Sequence, residues 1–150
     1  MAYSSGKAQC PQNDIGINST TWWIDQTIDM CPGQNIWISD GATLIIWNST
    51  VRLNPIETGS WGGIILQSGA SLRIVQNSTI QDADEAIRGL DGFNSIRVMS
   101  STITNVGTVL YASTFTPVIG YPVYFSYCTL RNRENANPIC VGGNVVNIYI

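Results

Sequence analysis

The chain has 150 residues, of which 44% are hydrophobic and 11% are charged, and its formal net charge is −3. This length suits a single domain with a hydrophobic core, and the hydrophobic content excludes a disordered chain. One lysine, Lys7, and six scattered arginines are too few for a phosphate-binding surface, so we expect no nucleic-acid partner. No apolar run approaches the roughly 20 residues of a membrane helix, and we expect no membrane insertion.

Residues 1–30 are predicted to form an N-terminal cap, which is a first and degenerate coil. Residues 1–9 lack the apolar core of a signal peptide. The adjacent Trp22 and Trp23 are expected to cover the open end of the stack, because a repeat protein needs an atypical terminal unit. The alternative is that the two rings form a platform for sugar rings.

Residues 31–150 contain one motif several times. Residues 41–52 read G-A-T-L-I-I-W-N-S-T-V-R, and residues 69–81 read G-A-S-L-R-I-V-Q-N-S-T-I-Q. Shorter copies are I-R-V-M-S-S-T-I-T from Ile96 and V-Y-F-S-Y-C-T-L-R from Val123. Aligned on their threonines, the copies lie 29, 23 and 27 residues apart, which is the range in which repeat proteins stack one unit on the next.

Alternating apolar residues within each copy predict short strands, and Leu72 or Ile74 should point inward. The chain contains 20 isoleucines, a β-branched residue that favours strands, and it has no convincing helix. Propeller blades need roughly 40 residues or more, so they are excluded by the period. The pattern therefore predicts an all-β parallel β-helix, with coils built from residues 31–150.

The pattern from Ile36 to Arg131 also resembles the right-handed parallel β-helix repeats of secreted and cell-surface proteins. Its G-A-[ST]-L and N-S-T copies are most similar to those of archaeal surface proteins that form sheaths or layers. This resemblance implies a right-handed β-helix of about five to six coils. It does not select a function, because enzymes, adhesins and structural layers share the fold.

The four cysteines indicate disulfides rather than a zinc site, because the chain has no histidine and no paired short cysteine spacings. Cys10 and Cys31 begin the similar runs C-P-Q-N-D-I and C-P-G-Q-N-I, about one repeat apart, so stacking would bring them within reach of each other. We predict the bonds Cys10–Cys31 and Cys128–Cys140. These bonds favour an extracellular location and a removed signal peptide; the alternative is four free buried thiols in a reducing compartment.

Asn18, Asn48 and Asn77 each begin the tripeptide N-S-T, which is the acceptor for N-linked glycans in exported proteins. Asn48 and Asn77 occupy equivalent bends, where they could instead stack as an internal, hydrogen-bonded asparagine ladder. Asn18 lies in the terminal unit, where no ladder is required, and it is therefore the better glycan candidate.

Asp82, Asp84 and Glu85 form the one acidic cluster, with Arg88 nearby. The cluster is expected to be a solvated turn, and a calcium or catalytic site is the alternative. Serine nucleophiles lack a histidine base, and there is no phosphate-binding loop. We therefore expect no cofactor and no enzymatic activity.

The leading prediction is a non-enzymatic structural protein of the cell surface that associates with copies of itself into a sheath, layer or fibre. Few charges reduce repulsion between copies. The last strand offers an edge for a neighbour, formed by Asn147, Ile148, Tyr149 and Ile150.

Two other functions remain open from the sequence. One is a carbohydrate-binding or polysaccharide-cleaving β-helix that uses Trp22, Trp23, Trp61 or the acidic cluster. The other is a fragment of a longer surface or tail adhesin.

Overall fold

The computed structural model describes residues 10–11, 13–112, 123–133, 139–141 and 148–149. This part of the chain is all-β and contains no helix. Its strands are β1 Ile15–Ile17, β2 Thr21–Ile24, β3 Thr27–Met30, β4 Asn35–Ile38, β5 Thr43–Trp47, β6 Thr50–Leu53, β7 Gly63–Leu66, β8 Ser71–Val75, β9 Thr79–Gln81, β10 Glu85–Gly89, β11 Ser95–Met99, β12 Thr102–Val106, β13 Thr108–Ala112, β14 Val123–Ser126, β15 Thr129–Asn132, β16 Ile139–Val141 and β17 Ile148–Tyr149.

Three successive strands make one rung, and the rungs stack in parallel to form three sheets. Sheet A has the order β1-β4-β7-β10-β13-β16, sheet B has β2-β5-β8-β11-β14-β17, and sheet C has β3-β6-β9-β12-β15. The strands pair in parallel because each one lies beside its counterpart in the next rung. This arrangement is a β-solenoid, as predicted.

The unbroken stretch 13–112 makes about four turns of the solenoid. One column of sheet A marks these turns, and it runs through Ile15, Ile36, Ile64, Ile87 and Leu110. The later described segments add strands to two further rungs. The resemblance implied about five to six coils, whereas the solenoid has about four turns; sheet C contains five strands, and sheets A and B contain six each among the described residues.

The core fills the inside of the solenoid with alternate residues of each strand. Leu72 and Ile74 are fully buried, whereas Arg73 between them is exposed. The predicted inward direction of these two residues is therefore confirmed. The alternation follows from the strand itself, in which successive side chains point to opposite faces.

The first rung consists of β1, β2 and β3, one strand in each sheet, in the region predicted as a degenerate cap. Asp14, just before β1, ties this rung to the second. Its carboxylate accepts hydrogen bonds from the backbone N–H of Asn35 and from Nε1–H of Trp37, both at 2.8 Å. The bond from the Asn35 backbone is the main reason that the pKa of Asp14 lies below its usual value.

Candidate functional site

The disulfide between Cys10 and Cys31 is present, as predicted, with the two Cα atoms 5.7 Å apart. Cys31 follows β3 directly and is buried, so the bond attaches the segment before β1 to the end of the first rung. The predicted bond between Cys128 and Cys140 is wrong, because Cys128 is a free thiol. Cys128 lies at the corner between sheets B and C, whereas Cys140 pairs with Tyr111 within sheet A.

Reduction of the Cys10–Cys31 disulfide should lower the free energy of unfolding by about 3 kcal/mol, because the bond closes a loop of 21 residues in the unfolded chain. Guanidinium unfolding with and without reductant measures this difference. Cys128→Ser is the matched control. This variant should respond to reductant as the wild type does. If reductant leaves the guanidinium unfolding midpoint of either protein unchanged, the prediction is contradicted.

The corner between sheets B and C carries a ladder of small polar residues inside the solenoid. The hydroxyl of Ser49 lies 2.8 Å from the Trp47 carbonyl oxygen, and that of Ser78 lies 2.6 Å from the Val75 carbonyl oxygen. The ladder also links its rungs directly, because the backbone N–H of Ser49 donates to the hydroxyl of Ser78 at 3.2 Å. Its buried or half-buried members are Ser49, Ser78, Ser101 and Cys128.

The internal asparagine ladder, which was the alternative to glycans at Asn48 and Asn77, is therefore wrong. Asn48 and Asn77 are exposed, and the serine that follows each of them takes the inner position. The reason is the left-handed backbone of the asparagines, with φ of 46° and 59°, which short amide side chains tolerate. Outside the solenoid, Nδ2 of Asn48 donates to the carboxylate of Asp25 at 2.6 Å.

Asn18 is also exposed, between β1 and β2, and its amide oxygen accepts a hydrogen bond from Ser39 at 2.7 Å. All three asparagines of the N-S-T motifs thus lie on the surface. Glycosylation of Asn18, Asn48 and Asn77 stays a prediction.

The acidic residues at the corner between sheets C and A each have a separate polar partner. Asp82 accepts a hydrogen bond from the amide of Asn105 at 2.6 Å, and Asp84 accepts one from Ser60. Glu85 forms an ion pair with Arg88 at 3.5 Å. The structure does not bring Asp82, Asp84 and Glu85 into a group that could hold a metal ion, and the described residues contain no other such group.

The three tryptophans predicted as sugar platforms have different surroundings. Trp61 is fully buried in the core, where its Nε1–H donates to the Gln81 carbonyl oxygen at 2.7 Å. Its assignment as a sugar-stacking residue is therefore wrong, because no face of the ring is accessible. Trp23 is half-buried against the core, whereas Trp22 on the opposite face of β2 is 52% exposed.

The outer face of sheet B is apolar at its N-terminal end. We define the sheet B face as the outward residues Trp22, Ile24, Ile45, Trp47, Val75 and Met99, of which Ile45 is only 4% exposed. Arg73 and Arg97 lie on the same side of the sheet in the third and fourth rungs. Trp22 pairs with Ile45, and Ile24 pairs with Trp47, so each tryptophan of the first two rungs lies beside an isoleucine of the other rung. Exposed apolar groups that cluster on one face indicate a contact surface.

Sequence reasoning singled out Trp22 but missed the rest of this surface. Ile24 is 47% exposed, Trp47 39% and Met99 40%. These residues belong to three different strands, and only the register of the sheet shows that they share a face. The alternation within β5, where Leu44 and Ile46 are buried, was the available signal that Ile45 and Trp47 point outward.

The predicted assembly edge lies partly in the described chain. Ile148 and Tyr149 form β17, which is the outermost strand of sheet B among the described residues and pairs with β14. Asn147 and Ile150 lie outside the described residues.

Comparison with protein-family models, with curated proteins and with solved structures finds no match to this chain. The likeness to secreted and archaeal surface proteins therefore rests on the repeated motifs alone. In the part of the chain that the structure describes, no helix is long and apolar enough to cross a membrane.

Proposed function

We propose that this protein is a non-enzymatic structural protein of the cell surface that associates with copies of itself, and that the sheet B face is one of its contacts. The supporting observation is the clustering of Trp22, Ile24, Trp47 and Met99 on one sheet face, where each is at least 39% exposed. A sheet face can pack against a second sheet at a separation of about 10 Å, with the side chains of both filling the space between them.

In the proposed contact, two copies lie antiparallel and are related by a twofold axis along the strands. The first rung of one copy then faces the fourth rung of the other, and the second rung faces the third. Trp22 therefore lies opposite Arg97 of the second copy, and Trp47 lies opposite Val75. An arginine over a tryptophan ring is a favourable cation–π pair, which supports a second copy of this chain as the partner.

A twofold contact closes a dimer, so a sheath, layer or fibre requires a second contact. The strand edge predicted at residues 147–150 is the candidate for that contact. The low content of charged residues, 11%, limits repulsion between copies. The Cys10–Cys31 disulfide is compatible with an extracellular location.

Substitution of Trp47 by lysine should weaken self-association by about tenfold or more, because it places a charge in the centre of the contact. Sedimentation velocity over a series of concentrations measures the association constant under non-reducing conditions. Ile24→Lys is a second variant that should act in the same direction, and circular dichroism checks that both remain β-structured.

The matched control for these variants is Ile56→Lys, which changes an exposed isoleucine between sheets C and A. It should associate as the wild type does. A wild-type protein that stays monomeric at every concentration, and that shows no ordered polymer in electron micrographs, would exclude the proposed function. Equal effects of Ile56→Lys and Trp47→Lys would exclude the sheet B face as the contact.

A further inference from the structure

A shallow depression of about 300 Å³ lies on the outside of the corner between sheets B and C. It spans three successive rungs, and its lining consists of hydroxyl, amide and phenol groups without a charged side chain. The lining residues are Asn77, Ser100, Ser101, Thr102, Tyr127 and Thr129. It is distinct from the sheet B face and from the acidic residues.

Tyr127 is the unusual member of this depression. It is 93% exposed, and its backbone is left-handed with φ of 54°. The equivalent bends of earlier rungs carry polar, non-aromatic residues with the same backbone, such as Asn48, Gln76 and Ser100. A bulky residue in this conformation costs roughly 1–2 kcal/mol, so folding does not explain a tyrosine at this position.

The polar groups around the ring are free to bind a ligand. The side chains of Asn77, Ser100, Thr102 and Thr129 form no hydrogen bond with any described residue. By contrast, the amide of Asn48 in the second rung is engaged by Asp25. Thr102 and Thr129 are paired in sheet C, about 4.8 Å apart, and they line the depression together with Asn77, Ser100 and Tyr127.

We propose that this depression binds a neutral saccharide. The face of a sugar ring would stack on Tyr127, and its hydroxyl groups would exchange hydrogen bonds with the Asn77 amide and the threonine hydroxyls. The absence of charged lining residues selects a neutral sugar over a uronic acid or a sulfated sugar, which would require a cationic partner. The sugar comes either from a separate glycan or from a glycan attached to Asn77 itself.

A glycan array probed with unglycosylated protein tests this site. We expect neutral glycans to bind and acidic glycans to bind more weakly. Tyr127→Ala should lower the affinity for the best neutral glycan by about tenfold, whereas Tyr127→Phe should retain it because the ring remains. Trp22→Ala is the control, since it removes another exposed aromatic ring, from the sheet B face, and it should bind as the wild type does.

Thr79→Ala distinguishes the two sources of the sugar, because it destroys the N-S-T acceptor but keeps the Asn77 side chain. When the protein is produced in a glycosylating host, the Thr79→Ala variant should bind free neutral saccharide. If the depression is occupied by the glycan attached to Asn77, the glycosylated wild type should bind free neutral saccharide only after that glycan has been removed. The proposal is overturned if no neutral glycan binds, if acidic glycans bind best, or if Tyr127→Ala binds as the wild type does.

Discussion

Gly63→Ala should destabilise the protein by more than about 4 kcal/mol or prevent it from folding. Gly63 begins β7 with φ of 147°, a backbone conformation that is essentially restricted to glycine. A Cβ at this position would also overlap the backbone carbonyl oxygen of Glu85 in the neighbouring strand. That oxygen cannot move away easily, because its strand pairs with β7 on one side and with β13 on the other. Urea unfolding followed by circular dichroism measures the loss.

Gly33→Ala separates the two causes. Gly33 is also left-handed, with φ of 72°, but a Cβ there would meet no atom within 4 Å. Only backbone strain should remain, and the expected loss is about 1 kcal/mol. If the two variants lose equal stability, the close approach of Glu85 is not what requires a glycine at residue 63.

Ile74→Ala should lower the free energy of unfolding by about 2–5 kcal/mol. The Ile74 side chain is fully buried between Ile46 of the preceding rung and Val98 of the following rung. Its removal leaves a cavity that strands on both sides prevent from closing, since each is held by the sheet hydrogen bonds. Chemical unfolding at a concentration where the protein is monomeric measures the loss.

Arg73→Ala is the neighbouring control. Arg73 is exposed on the outside of the same strand, so its truncation should change stability by no more than about 0.5 kcal/mol. A large loss from Arg73→Ala, with none from Ile74→Ala, would mean that the opposite face of β8 is buried.

The sequence by itself determined the strand phase and the stacking. Alternation of apolar and polar residues is a local property of a strand, so the burial of Leu72 and Ile74 could be predicted from β8 alone. The repeated runs around Cys10 and Cys31 gave equivalent positions one turn apart, and this was sufficient to predict their disulfide. The same argument failed for Cys128 and Cys140, because they are not copies of one another and lie in different parts of the rung.

The tertiary structure alone decided which residues face inward at the corners. The positive φ of Asn77 turns its side chain outward and places that of Ser78 inward. The tripeptide sequence N-S-T does not specify the sign of φ. The burial of Trp61 likewise depends on a loop between sheets C and A, where no alternation applies.

Both candidate contact surfaces are also products of the stacking. Trp22 and Trp47 are 25 residues apart in sequence, yet they lie on adjacent strands of the sheet B face. Asn77 and Tyr127 are separated by 50 residues, yet they line one depression. The sequence specifies the residues within each rung, but the length of every intervening loop sets the register between rungs, and that register decides which side chains share a surface.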